Sequence, residues 1–382
     1  MAATDRDGSA LAALVHAALA LPILALPAKA GAAAVGEVGV TLLGYKERGL
    51  MKITEPVIWG RVQFAEVWEV QASAAVDIIT GASPQLVSNA LGKPVQTITG
   101  ASISDRRNTG DLKVTRRFGD LALSASRTLS KEEDYHSKAF GLEARLDLNQ
   151  RNTTIAAGYG KSNDRILSAD DPNLNERRDT REYLAGVTQV ISPTSLVQST
   201  ITWARGTGWY NDPYKLTFTF FDAGLPILAP DRRPDHRDTL AWLTRYRAHF
   251  PAAHGTLQAD YRFYRDDWGI RAHTLEVAWQ QELNERWALR PALRYYTQDA
   301  ADFYSPTVPR PQPPVQSSDQ RLGAWGGVSP SLRATWRLDR LTLEATLGYV
   351  HNARNLRFGG GGADAFETLR AWYGIVGATH SF

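Results

Sequence analysis

The sequence predicts a transmembrane antiparallel β-barrel of about sixteen strands, between fourteen and eighteen. Three observations carry this. The chain opens on a short apolar stretch that ends in a small-residue motif. Segments with a period of two then follow one another to the last residue. Tight polar turns and long polar connections alternate between those segments. Side chains of a strand point alternately to opposite faces, so each segment has one apolar and one polar side.

The opening stretch, residues 11–27, reads LAALVHAALALPILALP and is followed by Ala28-Lys29-Ala30. An apolar core before an Ala-x-Ala site is the pattern of a secretory signal peptide. The expected organisation is a signal peptide at 1–30 and a barrel at 31–382. Asp5 and Asp7 offset Arg6 ahead of the core, a departure from the usual basic start. The stretch is short for a membrane anchor, and Pro22 and Pro27 interrupt it. No later apolar run is long enough to span a bilayer as a helix. A closed barrel is the other way to satisfy every backbone group in hydrocarbon.

Composition agrees. The 382 residues carry a net charge of only +3, too even a balance to argue for nucleic acid as a partner. The 11 Trp and 14 Tyr are a heavy load of the amphipathic rings that membrane interfaces favour. Cysteine is absent, which excludes a disulfide framework and thiolate metal sites.

Period-two segments lie at 38–45, 51–58, 67–79, 112–118, 121–129, 139–148, 153–160, 182–191, 196–206, 239–250 and 256–264. The hairpin that follows is the clearest: Leu275, Val277 and Trp279 alternate with Glu276, and Trp287, Leu289, Leu293 and Tyr295 alternate with Arg290 and Arg294. Segments at 328–338, 341–351 and 368–382 complete the set. The tight connections are Gly119-Asp120, 149–152, 192–194, 251–255, 284–286 and Asp339-Arg340. The long ones are 80–109, 131–138, 161–181, 207–238, 265–273, 298–322 and 352–367. Short periplasmic turns and long extracellular loops are the pattern of a bacterial outer-membrane barrel, which sets the expected localisation. Phe118, Phe250, Trp287 and Trp336 beside the tight turns suit a periplasmic girdle. The last segment, ending in Phe382, resembles the targeting strand of outer-membrane proteins that the barrel-assembly machinery receives.

The polar faces point to a charged lumen. They carry Glu143, Arg145 and Asp147, then Arg245 and Arg247, Asp260 and Arg262, Glu276, Arg290 and Arg294, Arg333 and Arg337, and Glu344. Opposite charges on neighbouring strands can pair across the ladder. The bland reading, a lattice of ion pairs stiffening the wall, is preferred to a cation-lined pore that selects anions.

The chemically dense stretches fall at the long-loop end. They include Asp77 with Gly81, Ser83 and Pro84 (TGASP), Asp105 with Arg106, and EEDYHS at 132–137. NDPYK at 211–215 holds Asp212, Pro213 and Tyr214. YRDDWGI at 264–270, YYTQDAADFY at 295–304 and SDQRL at 318–322 follow. In this order the motifs resemble a family of proteobacterial outer-membrane proteins known only as a domain of unknown function. The resemblance covers nearly the whole chain after residue 38 and implies a barrel with no established activity. Relatives are often encoded beside a thioredoxin-like protein, a small lipoprotein and a flavin transferase, which implies periplasmic redox or lipoprotein partners.

Read from the residues alone, the mouth offers carboxylates and imidazoles. Glu133, Asp134, His136, Asp235, His236, Asp266 and Asp267 are the candidate ligands for a divalent cation, with no other cofactor expected. An acidic rim, solvated or bridged by divalent ions to lipopolysaccharide, is the blander reading and is preferred to a dedicated metal site. The best functional reading is passage or binding of a small solute or metal complex. The alternatives are a structural or docking barrel tied to envelope redox or metal handling, and a mouth hydrolase using Asp235 and His236. No Gly-x-Ser-x-Gly elbow supports the last.

Overall fold

The computed structural model describes residues 34–81, 84–88, 95–98, 103–220, 226–307 and 313–382. The expected signal peptide at 1–30 and Ser83 lie outside the described residues. The chain runs through β1 (Val35–Glu47), β2 (Met51–Phe64), β3 (Trp68–Gly81), β4 (Pro84–Ser88), β5 (Val95–Ile98), β6 (Ile103–Phe118) and β7 (Leu121–Lys131). It continues through β8 (Tyr135–Leu148), β9 (Thr153–Ile166), β10 (Glu176–Ser192), β11 (Ser195–Gly208), β12 (Leu216–Phe220), β13 (Pro226–Pro230) and β14 (His236–Phe250). It ends with β15 (Gly255–Asp266), β16 (Arg271–Glu282), β17 (Trp287–Gln298), β18 (Trp325–Leu338), β19 (Leu341–Ala353) and β20 (Leu369–Ser381).

Sixteen of these strands close into one antiparallel barrel. The expected strand set is present in full. β4–β5 and β12–β13 form separate two-stranded hairpins. They sit in the long connections expected over 80–109 and 207–238.

Closure is made by the first and last strands. β20 pairs with β1 from Glu37↔Ser381 to Glu47↔Ala371. Beyond that register, Gly36 N–H donates to Phe382 O at 3.0 Å and Phe382 N–H donates to Gly36 O at 2.9 Å. Gly36 has no side chain for a reason: a Cβ there would lie 2.6 Å from the Phe382 ring.

The apolar sides of the strands face outward. Leu142, Leu293 and Leu347 are each more than half exposed, at 54%, 55% and 58%. At the tight-turn end, Trp287 stacks on Trp336 with ring centroids 5.6 Å apart, and Arg116 lies between Trp68 and Phe118 at 5.0 and 4.6 Å. This is the girdle expected there.

The loop end is more ordered than the sequence suggests. β6 begins at Ile103, so Asp105 and Arg106 are strand residues, as is Asp77 in β3. The connection expected over 131–138 shrinks to the residues between β7 and β8, and that over 265–273 to those between β15 and β16. The connection from β1 to β2, at the same end, is equally tight. Strict alternation therefore fails. The physical reason is that pairing outlasts the hydrocarbon: above the membrane a strand keeps its backbone hydrogen bonds but needs no apolar face. Hydrophobic periodicity marks only the membrane part.

Gly36→Val is expected to push a side chain into the Phe382 ring and lower barrel stability by about 1–3 kcal/mol. Urea unfolding in detergent, followed by tryptophan fluorescence, would measure it. An unchanged midpoint would show that the seam does not need this close approach.

Candidate functional site

The interior wall is a lattice of paired charges. Glu69 is held by Arg61 and Gln63 at 2.7 Å and by Gln71 at 2.6 Å. Lys113 reaches Glu143 at 3.0 Å, and Arg145 pairs with the same carboxylate. Thr154 donates to Asp147 at 2.7 Å. Asp260 accepts Arg247 and lies 3.7 Å from Arg245. Arg290 pairs with Glu276 at 3.2 Å, Arg337 with Glu282 at 2.7 Å, and Arg333 with Glu344 at 3.8 Å. Arg262 lies 5.4 Å over the Tyr264 ring. Among the described residues Arg262 and Arg294 make no ion pair. Direct cross-strand register sets Gln63↔Glu69, Asp147↔Thr154 and Arg245↔Asp260, while Arg290 reaches Glu276 diagonally and Lys113 and Arg337 reach across an intervening strand.

At the loop end two assemblies hold the mouth. The first is apolar. Trp268, Ile270, Ala301, Phe303 and Leu322 form a buried cluster, with Tyr210, Tyr264, Tyr304 and Val315 packed against it. Trp268 sits edge-on to Phe303 at 5.1 Å and to Tyr210 at 5.4 Å, and its Nε1–H donates to His236 O at 2.8 Å. Asp266 organises the tip between β15 and β16. It accepts from Trp268 N–H at 3.2 Å, Ile270 N–H at 2.9 Å, Tyr264 Oη at 2.9 Å and Arg237 Nη2 at 2.6 Å. The Arg237 guanidinium also covers the Trp268 ring at 4.1 Å. Gly269 has φ +89°, and a Cβ there would meet Asp302 at 2.3 Å. The YRDDWGI and YYTQDAADFY motifs are thus two halves of one packed unit.

The second assembly is polar. Asp231, 1% exposed, accepts from Ser317 Oγ at 2.6 Å and from Arg233 Nη2 at 2.8 Å. Arg233 also reaches Asp319 at 3.2 Å. Arg321 joins Asp319 at 2.5 Å to Asp212 at 2.8 Å. Asp212 turns NDPYK by accepting from Tyr214 N–H at 3.1 Å. SDQRL and NDPYK therefore meet through charge. Burial works against the Asp319 carboxylate, but Arg321, Lys215 and Arg233 hold it well below the usual carboxylate range. A lowered value adds stability at neutral pH, which is lost only as pH falls through the folded-state value.

The candidate metal ligands sort into separate places. Asp105, Glu132 and Asp134 bring carboxylate oxygens within 4.8 Å of one another. Arg107 links Glu132, at 3.6 Å, to the buried Asp77. Burial and the neighbouring Asp105 push the Glu132 carboxyl up. Tyr214 donates its hydroxyl to Asp134 and accepts from Ala169 N–H at 3.0 Å. Burial and the Asp134 carboxylate push that hydroxyl up to about 12.

Of the ligands expected from sequence, only Asp134 belongs to this group. Glu133 is exposed on the same tip, and His136 lies in β8 opposite Lys131. Asp235 and His236 are in contact at 3.1 Å, with Asp267 3.6 Å from the other ring nitrogen. Asp266 is committed to Arg237. Pro84 opens β4, and Pro213 sits within the Asp212 turn.

Sequence reasoning missed Asp231; it placed Glu132 among the mouth carboxylates and Arg233 and Arg237 in a chemically dense stretch without giving them an organising role. The signal available was local: Arg233 and Arg237 flank Asp235 in a stretch rich in alternating charge.

Arg237→Ala leaves Asp266, whose side chain is fully buried, without its cation. It is expected to cost the mouth about 3 kcal/mol, read as faster hydrogen exchange over 264–270 and 299–304. Asp319→Asn is expected to raise exchange over 313–322 at neutral pH. The wild type should match it only once pH falls below the ordinary carboxylate range. Parity of variant and wild type at neutral pH would remove Asp319 from the assembly.

Comparison with solved structures places the fold. The chain is similar to a bacterial polysaccharide outer membrane secretin, with 9% identity and a TM-score of 0.50 over 91% of this chain and 98% of that one. It is also similar to CdiB from Acinetobacter baumannii, with 8% identity and a TM-score of 0.52 over 91% of this chain and 60% of that one. At such identity the likeness shows the fold alone, that of an outer-membrane β-barrel. Comparison with curated proteins finds no match. A family model described as "Protein of unknown function (DUF3570)" matches residues 11–173 and 167–368, and the chain belongs to that family.

Proposed function

We propose that this barrel resides in the outer membrane, and that its outer mouth binds a small solute or metal-bound ligand and admits it to the interior. One observation carries the reading: loops rooted on well-separated strands meet over the mouth through polar latches. β12 lies beside β4, from connections far apart in the ring. Arg232 bridges to Gln316, and Tyr214 donates to Asp134. The Tyr214–Asp134 latch is one hydrogen bond and can be exchanged for contacts to a ligand, while the paired backbone bonds of Arg232 and Gln316 hold the loops behind it.

The chemistry at the rim favours a cationic or metal-bound ligand. Asp105, Glu132 and Asp134 offer oxygen donors, the set that hard divalent cations take. The hydrolase reading finds less support. The Asp235 and His236 side chains are 92% and 60% exposed, far from the desolvated setting that tunes a general base.

Planar-bilayer recording tests this reading. The wild-type barrel is expected to conduct, and Ca²⁺ or Mg²⁺ on the loop side is expected to change the current. Tyr214→Phe removes one charge-assisted hydrogen bond, about 1.5–3 kcal/mol, and should raise the open population roughly tenfold or more. Silence from both proteins, with no response to divalent ions, would sink the proposal.

A further inference from the structure

The outward face of β8–β11 carries an arrangement the function above does not use. The cross-strand register places Phe140 opposite Lys161, Lys161 opposite Arg181, and Arg181 opposite Arg205. Three cations thus stand side by side on β9, β10 and β11. The next positions toward the tight-turn end on these strands are Tyr159, Tyr183 and Trp203, which are also mutual cross-strand partners. Their rings form a continuous row: Phe140 to Tyr159 at 5.9 Å, Tyr159 to Tyr183 at 5.3 Å, and Tyr183 to Trp203 at 5.3 Å. Each strand therefore presents a ring and, two residues nearer the loops, a cation. Farther out, Arg165 stands opposite Arg177.

Like charges placed directly opposite on neighbouring strands repel. The interior wall avoids this by interleaving carboxylates. Here the carboxylates are fewer: Asp179, on the same face between Arg177 and Arg181, accepts from Asn163 Nδ2 and makes no ion pair among the described residues. Arg205 has Asp238 at 3.1 Å, and Arg165 leans on the amide of Asn175 at 2.8 Å. Among the described residues, Lys161, Arg177 and Arg181 make no ion pair, and Arg177, Arg181 and Arg205 are exposed. Rings of this kind mark the level where acyl chains give way to headgroups. The cations stand just above that level, on the loop side, where the phosphates of outer-leaflet lipid lie.

We infer that the Lys161–Arg181–Arg205 row, seated on the Tyr159–Tyr183–Trp203 girdle, is a binding surface for the phosphorylated headgroup of an anionic outer-leaflet glycolipid. Charge complementarity supplies the attraction, and Arg guanidinium groups can grip phosphate oxygens in pairs. The rings below fix the depth at which the acyl chains meet the wall. The inference rests on the outer-membrane placement proposed above but not on conduction.

The test uses the refolded full-length barrel in neutral detergent, free of lipopolysaccharide, with purified bis-phosphorylated lipid A as probe. Native mass spectrometry reads binding. Wild type is expected to bind saturably. The Lys161→Gln, Arg181→Gln, Arg205→Gln triple variant is expected to bind about a hundredfold more weakly, at about 1 kcal/mol per cation. These side chains point away from the interior, so the variant should fold, as judged by heat-modifiable migration. A control removing Arg151, Arg286 and Arg340 at the tight-turn end should bind like wild type. Equal binding by the triple variant would overturn the inference. So would equal binding of lipid A stripped of phosphate, or competition by millimolar inorganic phosphate alone, which would mark an ion site rather than a lipid surface. Absence of the protein from outer-membrane fractions would count against its placement, whatever the binding result.

Discussion

The structure depends on one constraint: in hydrocarbon, each backbone N–H and C=O must find its partner within the chain. A sheet meets this only by closing, and here closure is the pairing of β1 with β20 across Glu37↔Ser381 to Glu47↔Ala371. An open edge in lipid would leave a row of unsatisfied groups at several kcal/mol each. Once the sheet is closed, outward residues must be apolar and inward residues can be charged. The lattice of Arg61–Glu69, Lys113–Glu143 and Arg290–Glu276 follows from the same alternation that places Leu142 and Leu293 in lipid. Exposed pairs of this kind contribute little individually. Their use is to let inward positions carry charge without repulsion.

Beyond the membrane the constraint relaxes, and the chain solves a different problem. The long connections must stay ordered with water on one side. They do so with an apolar cluster around Trp268 and Phe303 and a charged one around Asp231 and Asp319. In both, carboxylates serve as anchors for backbone N–H groups and guanidinium ions. Asp266 receives Trp268 N–H, Ile270 N–H and Arg237 together. An acidic, aromatic motif in this setting is architectural first, whatever it also binds.

The barrel was legible because its rule is local. Leu275, Val277 and Trp279 against Glu276 declare a strand with two unlike faces, and Asp339-Arg340 declares a turn, without knowledge of the rest. Parity alone likewise sets the direction expected of Glu143 or Arg333. The mouth was not legible. Asp105 and Arg106 look like loop residues because no apolar face accompanies them, yet β6 starts at Ile103. The grouping of Asp105 with Glu132 and Asp134 depends on register between β6 and the β7–β8 tip, which sequence does not state. The meeting of Arg233 with Asp319 joins residues far apart in the chain. Charge patterning showed that these stretches carry chemistry, not which of them touch.

The wall β8–β11 brings the two levels together. On its outer side it carries the cation row and girdle; on its inner side it roots the latch. Arg177 faces out while its neighbour Arg178 faces in, paired with Asp164 at 2.9 Å and donating to Tyr135 Oη at 2.8 Å. The Arg178 guanidinium also lies 5.0 Å over the Tyr210 ring, at the root of the loop that carries Tyr214. Trp209 N–H of that loop donates to Arg177 O at 2.9 Å. The outer cation row and the inner Arg178–Tyr210 contact thus share one strand, β10.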